Sequence, residues 1–400
     1  MSTNLLHRVE AQLIRQEWAE RVVSPAYDAL QPQQRFDLME KDPYVFLHVT
    51  RSFGDDQSEK TADEVSASNA EALSRLLEAG VYEKARPPSL YLYQLRSEGH
   101  QQTGIIGDVP LSVVREERII PHERIRPSRS LHLADHLEKI RIQSSPVSLG
   151  YEDDIQVSEI ISAIQKNQPP LLDFQREDMI EQRVWPVPEK DANALVDIMS
   201  NKHAYIVDGH HRVSAASEMW KRNGESEAFG KLFAAFFPLS ELKISAFHRR
   251  VTDMAGYTLD ELFKEITARD FTITPFQGGE DPKPKVSGEF SMYAGGQWTA
   301  IEPSRIHPSE IDSGLLQRKI LGPIFNIDEA GSDNRLQYLP GAAGLNHLVD
   351  QTDLHGGVAF ALHPVPMVQL LSVADRRMTF PPKSTYFQPK ARSGIFLVQR

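Results

Sequence analysis

Between Thr61 and Gly80 the apolar residues return every three or four positions. Val65, Ala72, Leu73, Leu76 and Leu77 fall on one face, which predicts an amphipathic helix that stops at Gly80. The period then changes. Ser89 to Leu95 and Thr103 to Gly107 are strand-like runs around Glu98-Gly99-His100, and together they predict a hairpin. Ser158 to Asn167 reads as a helix closed by Pro169-Pro170, and Asp191 to Asn201 as another. His203 to Val207 and Leu232 to Phe237 are short unbroken apolar runs, the pattern of buried strands. Beyond residue 250 the pattern predicts a helix over Leu259 to Arg269 and a polar loop over Gly278 to Lys285. Gly295-Gly296 predicts a hairpin between Phe290–Tyr293 and Trp298–Ile301. A helix over Ser309 to Leu321 follows, with late strands at Val358–Leu362 and Gly394–Val398. Hairpins mixed with helices predict an α+β fold rather than a purely parallel sheet.

The densest chemistry lies where the strand ending at Val207 meets a helix expected over Val213 to Arg222. Asp208-Gly209-His210-His211-Arg212 joins the two. A strand, a glycine turn and a helix start make an anion site, because the first helical N–H groups and the positive end of the helix dipole converge there. Arg212 adds a planar two-pronged donor for phosphate. A plainer reading makes Asp208 a helix cap and Gly209 a turn residue, with one histidine packed inside because neighbouring side chains diverge.

Composition narrows the field. The 400 residues are 40% hydrophobic and 25% charged, as in an ordinary globular protein, and long enough for more than one lobe. The net charge of −11 argues against nucleic acid or an anionic membrane surface as partner. The absence of cysteine removes disulfides, thiolate nucleophiles and cysteine-bound zinc. No signal-peptide pattern and no 18-residue apolar run is visible, so a cytoplasmic location is the default expectation.

Other candidates have their own chemistry. In His122-Glu123-Arg124 a carboxylate beside a histidine can act as general base or position a metal-bound nucleotide, or the three can form a surface loop with an ion pair. Arg124, Arg126 and Arg129 form a basic run suited to a phosphate or a carboxylate, or simply to solvent. His132 and His136 stand four apart on an expected helix; without a third ligand they read better as surface histidines than as a zinc pair. Lys383 and Lys390 flank Ser384-Thr385 in a proline-stiffened loop that either closes over phosphate or ties down the last strand. Gly224 to Lys231 is not a P-loop, since five residues separate its glycines and Leu232 follows the lysine. Neither a GxSxG elbow nor a Rossmann fingerprint is present.

Gly209-x-x-Arg212-x-x-Ala215 resembles the nucleotide-contacting box of the ParB/sulfiredoxin-like superfamily. Ser24-Pro25-Ala26-Tyr27-Asp28, Pro121-His122-Glu123-Arg124, Phe247-His248-Arg249-Arg250-Val251 and the Pro381 to Lys390 segment stand around it in order. Together they resemble the bacterial family known as domain of unknown function 1015, over roughly residues 20 to 400. Ala26 and Ile125 depart from the family's usual proline and threonine. The resemblance implies a ParB/sulfiredoxin-like mixed core over residues 89–250, preceded by an N-terminal segment over 1–88 and followed by an α+β lobe over 251–400. Superfamily relatives include free-serine kinases, sulfiredoxin and CTP-binding ParB, which implies a nucleotide-phosphate site here.

Two functions follow as expectations. One is a small-molecule kinase using ATP or ADP with Mg²⁺ and phosphorylating a free hydroxy-amino acid such as serine. In it Asp208, Gly209, His211, Arg212, Arg124 and Lys383 hold the nucleotide, while Glu123, His122, Asp28 and His210 serve catalysis. Mg²⁺ is expected on phosphate oxygens, with no metal held by the protein alone. The other is a nucleotide-binding or nucleotide-hydrolysing regulatory module without an acceptor. The oligomeric state is not legible.

Overall fold

The computed structural model describes residues 3–53, 60–305, 310–328 and 333–400, and these divide into two compact units. Unit 1 comprises residues up to Pro121, Ile125–Leu242 and Pro389–Arg400; unit 2 comprises His122–Arg124 and Lys243–Gln388.

Unit 1 is built on an eight-stranded mixed sheet. In chain order its strands are β1 Tyr91–Ser97, β2 His100–Pro110, β3 Ile119–Ile120, β4 Val147–Tyr151, β5 Leu172–Gln175, β6 Glu181–Pro186, β7 Ala204–Asp208 and β8 Lys231–Pro238. The spatial order is β3-β7-β4-β8-β2-β1-β6-β5. β8 runs parallel to β4 and β3 parallel to β7, and the other pairs are antiparallel, so the α+β expectation holds. The strands read as unbroken apolar runs because both faces are covered. Tyr91, Tyr93, Phe233 and Phe237 enter one core, while Leu92, Leu232, Ala234 and Phe236 enter the other.

Among the described residues, five helices of unit 1 are longer than ten residues: α1 Ala62–Glu78, α2 Pro127–Ile140, α3 Ile155–Asn167, α4 Glu189–Met199 and α5 His210–Arg222. α1 starts at a capping box in which Thr61 and Glu64 satisfy each other's backbone N–H. Val65, Ala72, Leu73 and Leu76 are buried as expected, but Leu77 is 44% exposed, one position past the packed stripe. His136 on α2 is not the surface residue its spacing suggests. Its Nδ1 lies 3.3 Å from Nδ2 of Asn69 on α1, and burial pushes its pKa down to about 4. His132 is exposed and meets the edge of Phe53.

Unit 2 carries a six-stranded antiparallel sheet: β9 Phe247–Val251, β10 Phe271–Pro275, β11 Phe290–Ala294, β12 Gln297–Pro303, β13 Leu336–Pro340 and β14 Val358–Leu362. They lie in the order β10-β12-β11-β14-β9-β13, and the hairpin at Gly295-Gly296 is present. The helix expected from Ser309 is described from Asp312; Ser309 lies outside the described residues. It passes through a π turn, Gln317–Leu321, and continues to Phe325 rather than stopping at Leu321. Pro323 has no N–H to give the preceding turn, and a widened turn accommodates it.

His248 on β9 is 6% exposed, and its Nδ1 accepts the Leu362 N–H at 3.2 Å. Burial, helped by nearby Arg249 and Lys283, lowers its pKa from the ordinary 6.5 to about 4. The imidazole is neutral when folded and takes up a proton near pH 6.5 when unfolded. Its stabilisation is therefore complete above pH 6.5 and is lost as pH falls toward 4, by up to about 1.4 kcal/mol per pH unit. His248→Asn, which keeps an acceptor near Nδ1, should flatten this part of the stability curve. Urea midpoints at pH 7 and pH 5 that differ as much in the variant as in the wild type would contradict it.

Candidate functional site

β7 carries a buried apolar segment, Ala204 to Val207, up to the partly buried Asp208. The chain then reverses into α5 through Gly209, whose φ is +103°. Only glycine takes this conformation without strain, and a side chain here would crowd the Arg212 guanidinium. A Cβ on Gly209 would lie 3.0 Å from the carbon and two nitrogens of the Arg212 guanidinium. Val213, Ala215, Ala216 and Met219 bury the inner face of α5 and fix its axis. Gly209 is the N-cap residue and no side chain caps the helix, so Asp208 does not fill the capping role open to it in the sequence.

Asp208 instead gathers two cations. Arg212 Nη2 donates to Oδ2, and Lys390 Nζ donates to Oδ1 at 2.6 Å, with the Lys390 side chain only 8% exposed. Arg212 Nη1 donates to the carbonyls of Ser145 at 3.0 Å and Pro146 at 2.5 Å, which ties the start of α5 to the segment entering β4. The fork expected to hold phosphate thus spends donors on holding the turn together. The group carries two positive charges around one carboxylate, next to the positive end of a 13-residue helix dipole, in a chain of net charge −11. His211 Nδ1 lies 3.1 Å from the Ser130 hydroxyl of α2, where α2 packs along α5. His210 is partly buried in the same turn. Asp28 lies in the short 3₁₀ turn Tyr27–Ala29 of unit 1.

The other expected residues belong to unit 2. Phe380 N–H donates to His122 O at 2.8 Å and Arg124 N–H to Phe380 O at 3.3 Å, so residues 122–124 run beside Phe380 as a short parallel bridge. His122 is fully buried. Its Nε2 lies 2.9 Å from the Thr385 hydroxyl, and its ring meets the edges of Phe380 and Phe387. Glu123 is half-buried and Arg124 exposed. Lys383 has a left-handed backbone, φ +61°, and its Nζ sits 5.2 Å from the centre of the Phe247 ring. The basic run is split: Arg124 is in unit 2, whereas the exposed Arg126 and Arg129 are at the start of α2 in unit 1. Among the described residues no three His, Cys, Asp or Glu side chains gather as a metal site.

A family model described as "Protein of unknown function (DUF1015)" matches residues 9–320. The chain belongs to that family. No curated protein matches it. Among solved structures, a conserved hypothetical protein from Pyrococcus furiosus is 14% identical, with a TM-score of 0.39 over 74% of this chain and 95% of that one. A free serine kinase in complex with AMP is 13% identical, with a TM-score of 0.39 over 72% and 91%. SbnI with a C-terminal truncation, from Staphylococcus aureus, is 12% identical, with a TM-score of 0.40 over 74% and 87%. Likeness at this level carries no functional argument.

Two residues of this DUF1015 protein escaped the sequence reading. Lys390 was visible as one of two lysines in the Pro381 to Lys390 segment, yet it is Lys390 rather than Lys383 that reaches Asp208. Arg249, inside Phe247–Val251, gave no signal beyond its charge, yet it is 2% exposed and donates to the carbonyls of Phe247 and Lys383. Gly209→Ala should destabilise the protein by about 1–2 kcal/mol, the scale of a left-handed conformation forced on an L-residue. Chemical denaturation measures it, and unchanged stability would mean that the turn accepts a Cβ.

Proposed function

We propose that this DUF1015 protein binds a nucleotide by its phosphates at the start of α5 and uses it to phosphorylate a small hydroxy-amino acid. The observation that carries the reading is the left-handed Gly209 turn opening α5 beside Asp208, Arg212 and Lys390. A phosphate arriving there meets the helix dipole, backbone N–H donors and a net positive side-chain group. Arg212 contributes by fixing the turn, through Asp208 and two carbonyls, as well as by its charge. Phosphoryl transfer asks for positioning and charge neutralisation more than for covalent help, which is what such a rigid turn supplies.

Mg²⁺ enters only as the ion carried by the nucleotide. The Asp208 carboxylate is committed to Arg212 and Lys390, so it does not fit the part of a metal ligand, and no step here depends on the ion. Glu123 is the proposed base for the acceptor hydroxyl; a carboxylate suits that proton transfer, and the resemblance leads one to expect His122-Glu123-Arg124 in this order. The acceptor is proposed as an amino acid because the acidic chain disfavours nucleic acid and the resemblance implies free serine among the superfamily's chemistries.

Calorimetry with ADP or ATP and Mg²⁺ tests the binding half. Arg212→Ala or Lys390→Ala should weaken binding by about 1.5–3 kcal/mol, the scale of a charged hydrogen bond. Full affinity in both folded variants would end the reading. Glu123→Gln should cut kcat roughly 10²-fold while affinity barely moves. ³¹P NMR of protein, Mg²⁺, nucleotide and an amino-acid panel reads the product. Nucleotide bound or hydrolysed with no phosphorylated amino acid would replace the kinase with the regulatory module.

A further inference from the structure

Unit 2 sets two polar side chains of one strand at the two ends of one helix. The helix, α6 Gly344–His355, packs on the six-stranded sheet through Leu345, Leu348 and Val349. His248 and Arg250 stand two apart on β9 and so share a face. Arg250 is 1% exposed, and its Nη2 donates to the carbonyl of Gly356, the residue that closes the C-terminal end of α6. The negative end of the helix dipole balances that buried cation. His248 lies toward the opposite, positive end. A Cβ on Gly341 would sit 3.3 Å from His248 Nε2 and 2.8 Å from Ala246 O, a close approach that calls for glycine. Residues 341–343 form a 3₁₀ turn that leads directly into α6, and no side chain caps the helix.

His248 is a donor in need of an acceptor. Its Nδ1 accepts the Leu362 N–H, which puts the proton of the neutral ring on Nε2. Among the described residues nothing bonds Nε2, although the residue is only 6% exposed. The turn above it is open: Ala343 and Gly344 are exposed. Lys283, also exposed, is near enough for its charge to act on the imidazole, and among the described residues no carboxylate offsets it there. A neutral imidazole beside a positive helix end, with a lysine close by, is a receptor for an anion and not for a cation. A phosphate, with three acceptor oxygens and up to two charges, matches several converging N–H groups.

We propose that unit 2 holds a phosphate site of its own at the Gly341–Gly344 turn, where His248 Nε2–H, the first N–H groups of α6 and Lys283 bind inorganic phosphate or the phosphate of a small monoester. The site uses nothing of the Asp208 turn and does not depend on the nucleotide reading.

The test is calorimetry of the full chain with inorganic phosphate and with methyl phosphate at constant ionic strength, with amide hydrogen exchange to locate the ion. At least one of the two should bind and slow exchange in peptides covering 341–347, and the tighter one tells a free ion from a monoester. His248→Asn keeps an acceptor for the Leu362 N–H but loses the Nε2–H donor, and should weaken binding roughly ten-fold or more. Lys283→Gln, at an exposed position, should weaken it several-fold. If His248→Asn does not fold, Lys283→Gln and the exchange pattern decide. No binding of either ligand, unchanged exchange at 341–347, or wild-type affinity in the folded variants overturns the proposal. Arg212→Ala should leave the slowing at 341–347 intact; its loss there would assign the ion to the Asp208 turn and remove this site. Phosphate held at 341–347 in a chain that binds no ADP would leave this inference standing and remove the nucleotide reading.

Discussion

The Asp208 carboxylate, shared between Arg212 and Lys390 at the end of a buried strand, is the interaction on which the candidate site depends. β7, flanked by β3 and β4, delivers the carboxylate at its C-terminal end, and Gly209 turns the chain within one residue. The arginine returning one helical turn later closes the loop on Asp208 and on the backbone entering β4. Glycine is needed here for its left-handed backbone angle, and a Cβ in its place would press on the guanidinium. The outcome is a helix start held rigid by charge and by packing. Rigidity matters because an anion site assembled only on binding would spend its interaction energy on ordering the loop.

Chemistry is distributed over the chain in a way that its order conceals. His122, Glu123 and Arg124 belong to unit 2, although the residues on either side belong to unit 1, and the last twelve residues return to unit 1 after the long excursion from Lys243 to Gln388. Lys383 and Lys390 sit seven positions apart, yet one serves unit 2 and the other pairs with Asp208. Unit 2 has its own polar interior, in which His122, Thr385 and Arg249 are buried together with His248, whose imidazole is held neutral.

Much of this was legible because local signals and tertiary demands agree. The 62–78 helix announced itself through its apolar stripe and the stop at Gly80, and the hairpins at Gly99 and Gly295-Gly296 through their glycines. The Asp208 turn was found because a strand, a glycine and a helix start are adjacent in sequence. Side-chain partnerships between distant residues were not legible: no local pattern says that Lys390 reaches Asp208, that Arg212 points inward to Ser145 and Pro146, or that His136 is tucked against Asn69. Nor does sequence report that Arg249 is buried, since arginine is ordinarily a surface residue and its neighbours in Phe247–Val251 alternate without a clear polar face.

Amide hydrogen exchange read by mass spectrometry, with and without ADP and Mg²⁺, addresses the central claim directly. If phosphate docks on the opening turn of α5, peptides covering residues 208–214 should slow their exchange on adding nucleotide, and Gly209→Ala should abolish that slowing. Nucleotide bound at saturation with unchanged exchange in 208–214 would place the anion elsewhere and contradict the account.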